Sequence, residues 1–106
     1  MNMRGLLCGT IAALALALVP FPAAAAEEYG PAEAKALVKQ GAILPMKIVV
    51  AKAEKLKTGR LLEAGLRKKR GLYVYDVEIL DAAGIVWELK FNAATGELLE
   101  MEEEKD

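Results

Sequence analysis

Two runs of alternating apolar residues in the C-terminal half of the chain constrain its fold more than any other feature. The first run is Tyr73, Tyr75, Val77 and Ile79, and the second is Ile85, Trp87, Leu89 and Phe91. A period of two places each set on one face of a β-strand. Residues 81–84 read Asp-Ala-Ala-Gly and can reverse the chain between the two strands, and 92–96 can begin a second reversal. The sequence therefore predicts an antiparallel meander with one apolar face.

Residues 1–26 are predicted to be a cleaved secretory signal peptide and not part of the fold. Arg4 precedes an apolar stretch that reaches Val19, and residues 23–26 are alanines that offer A-x-A cleavage sites. An uncleaved anchor would need roughly 18 or more apolar residues, and Pro20 interrupts this run. We therefore expect cleavage after Ala26, a periplasmic location and no stable membrane anchor in the mature chain.

The residue types that are missing exclude most catalytic and metal-binding chemistry. The chain has no histidine and no serine, and its single cysteine, Cys8, lies in the predicted leader. Nucleophilic triads, Cys/His pairs and histidine-ligated metal sites are therefore unavailable. Removal of Arg4 leaves 13 basic and 15 acidic residues, a balance that does not favour nucleic acid. We expect no catalytic residue, no metal site and no cofactor. An enzyme built on carboxylates alone would need two of them facing each other inside a cleft.

Two helices are predicted before the meander. The stretch 31–40 begins with Pro31, which suits the first turn of a helix, and Gly41 follows as a C-terminal stop. Pro45 opens a second helix to about Lys57, with Val49 and Ala53 at helical spacing on its apolar side. Residues 27–30 are expected to be a flexible start.

A first strand is predicted over residues 60–67, with Leu62, Ala64 and Leu66 pointing inward and a bulge at Gly65. Residues 68–71 are expected to form a basic hairpin tip, 97–101 a short last strand and 102–106 a flexible acidic tail. The fold class is therefore α+β, with N-terminal helices packed on one face of a small antiparallel sheet. The predicted domain is residues 27–101.

The chain resembles single-domain periplasmic proteins of the PepSY family. The resemblance rests on the runs GAILPMKIVVAKAEKLKTGRLLEAGL and LYVYDVEILDAAGIVWELKFNAATGELLEMEEE, which cover nearly all of the mature chain. Its motif residues at the closing turn are Asn92, Thr95 and Gly96, where the family usually has aspartate at the first position. Asn92 can still cap that turn through its side-chain oxygen.

The resemblance implies a small antiparallel sheet packed against helix, and a binding role instead of an enzymatic one. Members of the family occur in peptidase propeptides, where the domain assists folding and restrains the protease, and as stand-alone secreted modules. Some stand-alone members are thought to inhibit peptidases or to modulate the sensor domains of two-component kinases.

Strand alternation predicts which residues face away from the helices. If Tyr75 and Val77 face inward, their neighbours form an open face that can dock a partner. The predicted docking residues are Val74, Asp76, Glu78, Val86, Glu88 and Lys90. The alternative is a solvated face held by cross-strand ion pairs of Lys90 with Asp76 or Glu78. An exposed strand edge that pairs with a partner's strand is a further possibility.

A run of basic residues follows the first predicted strand. It consists of Arg67, Lys68, Lys69 and Arg70. A hairpin tip that resists edge-to-edge aggregation explains this run, and contact with an acidic partner or an anionic membrane surface is the functional alternative. Tyr75 and Trp87 could form a ligand platform, but their alternation with aliphatic residues favours the core.

The main functional hypothesis is a non-enzymatic periplasmic module that binds and restrains an envelope protein. A sensor kinase ectodomain is favoured slightly over a peptidase, because the chain has tight turns and no long insertion loop. The second hypothesis is an envelope protein that binds a small ligand or a metal ion without a protein partner.

Overall fold

The computed structural model describes residues 27–104, which form two helices and five strands. In chain order these are β1 (Glu27–Tyr29), α1 (Pro31–Lys39), α2 (Met46–Leu56), β2 (Arg60–Lys69), β3 (Leu72–Leu80), β4 (Val86–Asn92) and β5 (Leu98–Glu103). The strands make an antiparallel sheet in the order β1-β2-β3-β4-β5. The predicted α+β class is confirmed. The predicted leader lies outside the described residues.

Both helices begin and end close to the predicted positions. The Glu33 carboxylate accepts a hydrogen bond of 2.7 Å from the Gly30 amide at the start of α1. At its end, Gly41 adopts a φ of 78°, and the amides of Gly41 and Ala42 donate to the carbonyls of Val38 and Leu37. This is a Schellman motif, in which a residue with positive φ lets the chain leave the helix while its last carbonyls stay bonded.

The turn between β2 and β3 is tighter than the sequence predicted. Arg70 and Gly71 alone connect the strands, with φ values of 52° and 81°, the pattern of a two-residue type I′ hairpin. Lys68 and Lys69 therefore pair with Tyr73 and Leu72 inside the strands. The prediction of a four-residue tip was wrong. The short turn also fixes the register of β2 against β3.

Three further local predictions were wrong. The expected flexible start forms β1, which pairs with β2 from Leu66 to Lys68. The bulge in β2 falls at Leu62 and not at Gly65, because Leu61 pairs with Ile79 and Glu63 with Glu78. Leu62 is consequently 42% exposed and does not point inward. The last strand continues through Glu103, into the expected flexible tail.

The core lies on one face of the sheet. Register aligns Leu66 with Tyr75 and Tyr75 with Phe91, and the alternate residues of β3 and β4 complete this face. The buried cluster unites sheet residues Leu66, Tyr75, Val77, Ile79, Leu89 and Phe91 with Val49 and Ala53 of α2. Burial of each large aliphatic or aromatic side chain contributes roughly 1.5–3 kcal/mol. By contrast, α1 contains no fully buried residue.

Tyr75 links this core to the segment between the helices. Its ring is fully buried, and its hydroxyl donates a hydrogen bond of 2.7 Å to the Leu44 carbonyl. Burial raises the pKa of the Tyr75 phenol. Tyr75 is thus a core residue with a satisfied polar group, as its alternation with aliphatic residues predicted. Trp87 is half-buried and packs against the same cluster.

Candidate partner-binding face

The six predicted docking residues share the sheet face opposite the core, which we call the outer face. Val74, Asp76 and Glu78 alternate with the core residues of β3, and Val86, Glu88 and Lys90 alternate with those of β4. Register places Asp76 opposite Lys90 and Glu78 opposite Glu88. The structure therefore brings all six residues together on one surface.

The centre of the outer face is less open than expected. Val74 and Asp76 are each 9% exposed, and the other four predicted residues are half-buried. Their neighbours form a depression of about 390 Å³ above Val74, which we call the cationic depression. It is lined by Leu72, Val74 and Leu99, by Arg67, Lys69, Arg70 and Lys90, and by Asp76 and Glu100. Long side chains from the surrounding strands thus enclose an apolar floor.

Asp76 forms its ion pair with Arg67 and not with the expected Lys90. Arg67 Nε lies 2.7 Å from Asp76 Oδ2, a charge contact that lacks hydrogen-bond geometry. Burial raises the pKa of the Asp76 carboxyl above its ordinary value, and the positive charges of Arg67 and Lys90 oppose this effect. Removing a carboxylate from water disfavours its charged form, so the ion pair offsets only part of this cost.

Four glutamates lie directly opposite one another across the outer face. Glu63 pairs with Glu78, Glu78 with Glu88 and Glu88 with Glu102, and we call them the glutamate row. The pKa of Glu78 is raised, first by burial and then by the negative charges of Glu104, Glu63 and Glu88. Like charges in directly opposite positions destabilise a sheet. The outer face therefore carries an acidic row beside a cationic depression.

The predicted basic run is divided between the two faces of the sheet. Lys69 and Arg70 line the cationic depression together with Arg67. Lys68 instead points to the core side, where its Nζ lies 5.0 Å from the centre of the Tyr73 ring. A cation over an aromatic ring is attracted by its quadrupole. Three of the four residues therefore belong to the candidate site.

The closing turn between β4 and β5 has a structural role. Asn92 Oδ1 accepts hydrogen bonds from the amides of Ala94 and Thr95, at 2.9 and 3.3 Å. Gly96 has a φ of 81°, and its carbonyl accepts a hydrogen bond of 2.9 Å from Lys52 Nζ of α2. Asparagine thus caps this turn as the sequence predicted.

Residues 27–104 contain neither a candidate metal centre nor a helix that could span a membrane. No three Asp, Glu, Cys or His side chains of this region are arranged to hold a metal ion. Neither α1 nor α2 has the length and apolar character required to cross a bilayer. The outer face therefore combines charged side chains with a depression that has an apolar floor.

Comparison with known proteins places the chain in a family. The family model described as "PepSY: Peptidase propeptide and YPEB domain" matches residues 43–102. The chain belongs to the PepSY family. PepSY domains are generally propeptide or regulatory modules, typically non-catalytic, which interact with peptidases or other proteins. PepSY proteins are often extracytoplasmic. No curated protein and no solved structure matches the chain.

The PepSY match covers the candidate face almost completely. It contains α2, the strands β2 to β4 and all of β5 except Glu103, and therefore the glutamate row and the cationic depression. The segment from β1 to α1 lies outside it. Sequence reasoning missed the glutamate row because the row depends on register. The two-residue turn at Arg70 and Gly71 was a signal for one of its pairs, Glu63 with Glu78, because that turn sets the register of β2 against β3.

Proposed function

We propose that this protein is a periplasmic, non-enzymatic PepSY module that binds an envelope protein through its outer face and restrains that partner. The observation that carries the proposal is the outer face itself. Within the described residues, the buried cluster that Val49 and Ala53 of α2 join lies on the opposite face. The outer face therefore remains available, and nearly all of it belongs to the family-matched region.

Charge pattern and shape suit this face to protein recognition. The cationic depression offers an apolar floor ringed by Arg67, Lys69 and Lys90. The glutamate row is its neighbour on the same face, because Glu88 lies two residues before Lys90 on β4. Complementary charges across an interface raise association rates and fix orientation. A partner surface with an acidic and a basic patch next to each other would match both parts of the face.

Binding restrains a partner only if the face prefers one of its conformations. A module that binds the inactive state more tightly shifts the equilibrium toward that state by its difference in affinity. We favour a sensor kinase ectodomain over a peptidase. The hairpin at Arg70 and the turns at Gly84 and Gly96 are tight, and none provides a long loop to enter a protease cleft.

Site-specific photocrosslinking in living cells tests this proposal. A photoreactive amino acid at Glu88 or Lys69 reports on the outer face, and the same amino acid at Lys55 of α2 reports on an exposed position elsewhere. We expect one discrete partner from the first two positions and none from Lys55. The activity of the purified partner should then fall when the PepSY protein is added.

Charge reversal at the depression provides the second arm of the test. The double substitution Lys69→Glu and Arg70→Glu should abolish both crosslinking and inhibition, because both side chains line the depression. Equal reversal at Lys39 and Lys55, on the exposed surfaces of α1 and α2, should leave them unchanged. Equal crosslinking from Glu88 and Lys55, or a partner whose activity does not respond, would overturn the proposal.

The second candidate function is the binding of a small ligand without a protein partner. A groove between α1, the start of α2 and the core side of the sheet favours it.

A further inference from the structure

A concavity lies on the core side of the sheet, between α1 and the start of α2. Its volume is about 820 Å³, within the range of about 300–1,000 Å³ that is typical of small-molecule sites. We call it the apolar groove. Ala34 and Val38 of α1, Met46 of α2 and Ala64, Leu66 and Tyr75 of the sheet contribute to its walls and floor.

Both charged side chains that line the groove are positive. Lys35 and Lys47 line the groove, and no aspartate or glutamate does. Lys35 precedes Val38 by three positions. Because residues three and four positions apart share a helix face, Lys35 and Val38 lie on the same side of α1. Neither lysine forms an ion pair with another residue between positions 27 and 104.

We infer that the apolar groove binds a single-chain anionic amphiphile, a molecule with one hydrocarbon tail and a carboxylate or similar headgroup. The tail would lie against Val38, Met46 and Leu66, and the headgroup would meet Lys35 and Lys47. Burial of methylene groups favours the tail by roughly 0.8 kcal/mol each. The two ammonium groups select a negative headgroup over a neutral or positive one.

The same features argue against a second copy of the chain as the occupant. A two-fold arrangement would bring identical grooves together, and each groove presents the same two lysines. Like charges would then face each other across the interface. An amphiphile instead satisfies the apolar surface and the charge together. Because α1 contains no fully buried residue, it can adjust its position around a flexible tail.

Methionine methyl spectra of the protein, titrated with dodecanoate below its micelle concentration, test this inference. Met46 lies in the groove, whereas Met101 lies on β5 outside it, and substitution of each by leucine assigns their signals. We expect a saturable shift at Met46 and none at Met101. Dodecyltrimethylammonium, which has a similar tail and the opposite charge, should bind at least about tenfold more weakly.

Matched variants locate the site. Ala34→Trp should block the groove and abolish binding, while Ala36→Trp, at an exposed position of the same helix outside the groove, should not. Lys35→Glu with Lys47→Glu should weaken dodecanoate binding about tenfold or more. Lys39→Glu with Lys55→Glu changes total charge equally on the same helices and should leave the affinity unaltered.

Several outcomes would overturn the inference. These are the absence of any Met46 shift, equal shifts at Met101, equal weakening by both charge reversals, or equal affinities for dodecanoate and dodecanol. Line broadening of Met46 that grows with protein concentration, without ligand, would assign the groove to self-association instead. If Ala34→Trp prevents folding, the charge-reversal pairs decide. Partner crosslinking from the outer face is a separate measurement, so either result can fail alone.

Discussion

Asp81 holds together the corner where β3 turns into β4. Its Oδ1 accepts hydrogen bonds of 2.9 Å from the amides of Ala83 and Ile85, and its Oδ2 accepts one of 2.8 Å from Trp87 Nε1. Lys57 Nζ lies 3.7 Å from Oδ2 and 4.1 Å from the centre of the Trp87 ring. These bonds lower the pKa of the Asp81 carboxyl, with the Ile85 amide as the largest cause.

We expect Asp81→Ala to destabilise the fold more than Asp81→Asn. An asparagine oxygen can still accept from the turn amides, but its amide nitrogen cannot accept from Trp87. Urea unfolding followed by fluorescence suits the measurement, because Trp87 is the single tryptophan. Folding lowers the pKa of Asp81 below its ordinary value of 3.8. Its contribution to the free energy of unfolding is therefore fully present above that value and is lost as pH falls through the folded pKa. Equal stability of Asp81→Asn and the wild type would contradict this role of Trp87.

Glu78 makes the opposite contribution at neutral pH. Its folded pKa is raised above the ordinary glutamate value of 4.5, so the folded state binds its proton more readily than the unfolded state. Lowering pH from neutral toward 4.5 should therefore stabilise the fold through this group. Glu78→Gln should raise stability at pH 7 by about 0.5 kcal/mol, and the gain should shrink as pH falls.

The matched control for this prediction is Glu54→Gln. Glu54 is an exposed residue of α2 outside the glutamate row, so its substitution removes the same charge without relieving cross-strand repulsion. Urea midpoints of both variants from pH 7 to pH 4.5 make the comparison. A Glu78→Gln variant that is less stable than Glu54→Gln at pH 7 would show that the row is not repulsive.

At the scale of elements, two glycines of the same strand region should respond oppositely to alanine. A Cβ at Gly59 would meet the Leu80 carbonyl oxygen and lie 2.7 Å from Cγ2 of Ile79, whereas a Cβ at Gly65 would meet no atom within 4 Å. Gly59→Ala forces β2 away from β3 and should cost about 1–3 kcal/mol. Gly65→Ala, which restricts the unfolded chain, should stabilise by about 0.4–1 kcal/mol. Thermal unfolding of the two variants tests this, and destabilisation of equal size would contradict it.

The elements that the sequence predicted correctly are those with a strong periodic signal. The alternation in β3 and β4 and the helical spacing of Val49 and Ala53 each span several residues, so packing and pattern agree. β1 contains only three residues, too few for a period to appear. The bulge at Leu62 depends on how β2 pairs with β3, and the pattern of a single strand does not encode that pairing.

For the candidate site, the sequence predicted the sheet face of each residue but not its neighbours on the adjacent strands. Alternation alone assigned Asp76, Glu78 and Glu88 to one face, which the structure shows. Their neighbours on β2 depend on register, which the two-residue turn at Arg70 sets. The expected ion pairs of Lys90 were therefore replaced by the contact between Arg67 and Asp76. The burial of Val74 also escaped prediction, because it results from long side chains on three strands.

For the whole molecule, separation of charge on the outer face predicts an unusual response to salt. Raising NaCl from about 10 to about 150 mM shortens the Debye length from roughly 30 to roughly 8 Å. Screening should relieve repulsion within the glutamate row and among the cations of the depression, so we expect the unfolding temperature to rise. The double variant Glu78→Gln and Glu88→Gln should show a smaller rise. A fall in the wild-type unfolding temperature would show that attractive ion pairs dominate instead.

The position of α1 outside the family-matched residues has an evolutionary consequence. One wall of the apolar groove comes from a helix that contributes no fully buried side chain, while the outer face belongs to the strands that share the buried core. Selection can therefore change the exposed residues of α1 at little cost to folding, whereas changes on β3 act on the core's own strands. Descendants of this protein would diversify first in the groove wall that α1 supplies, and would retain the sheet surface longest.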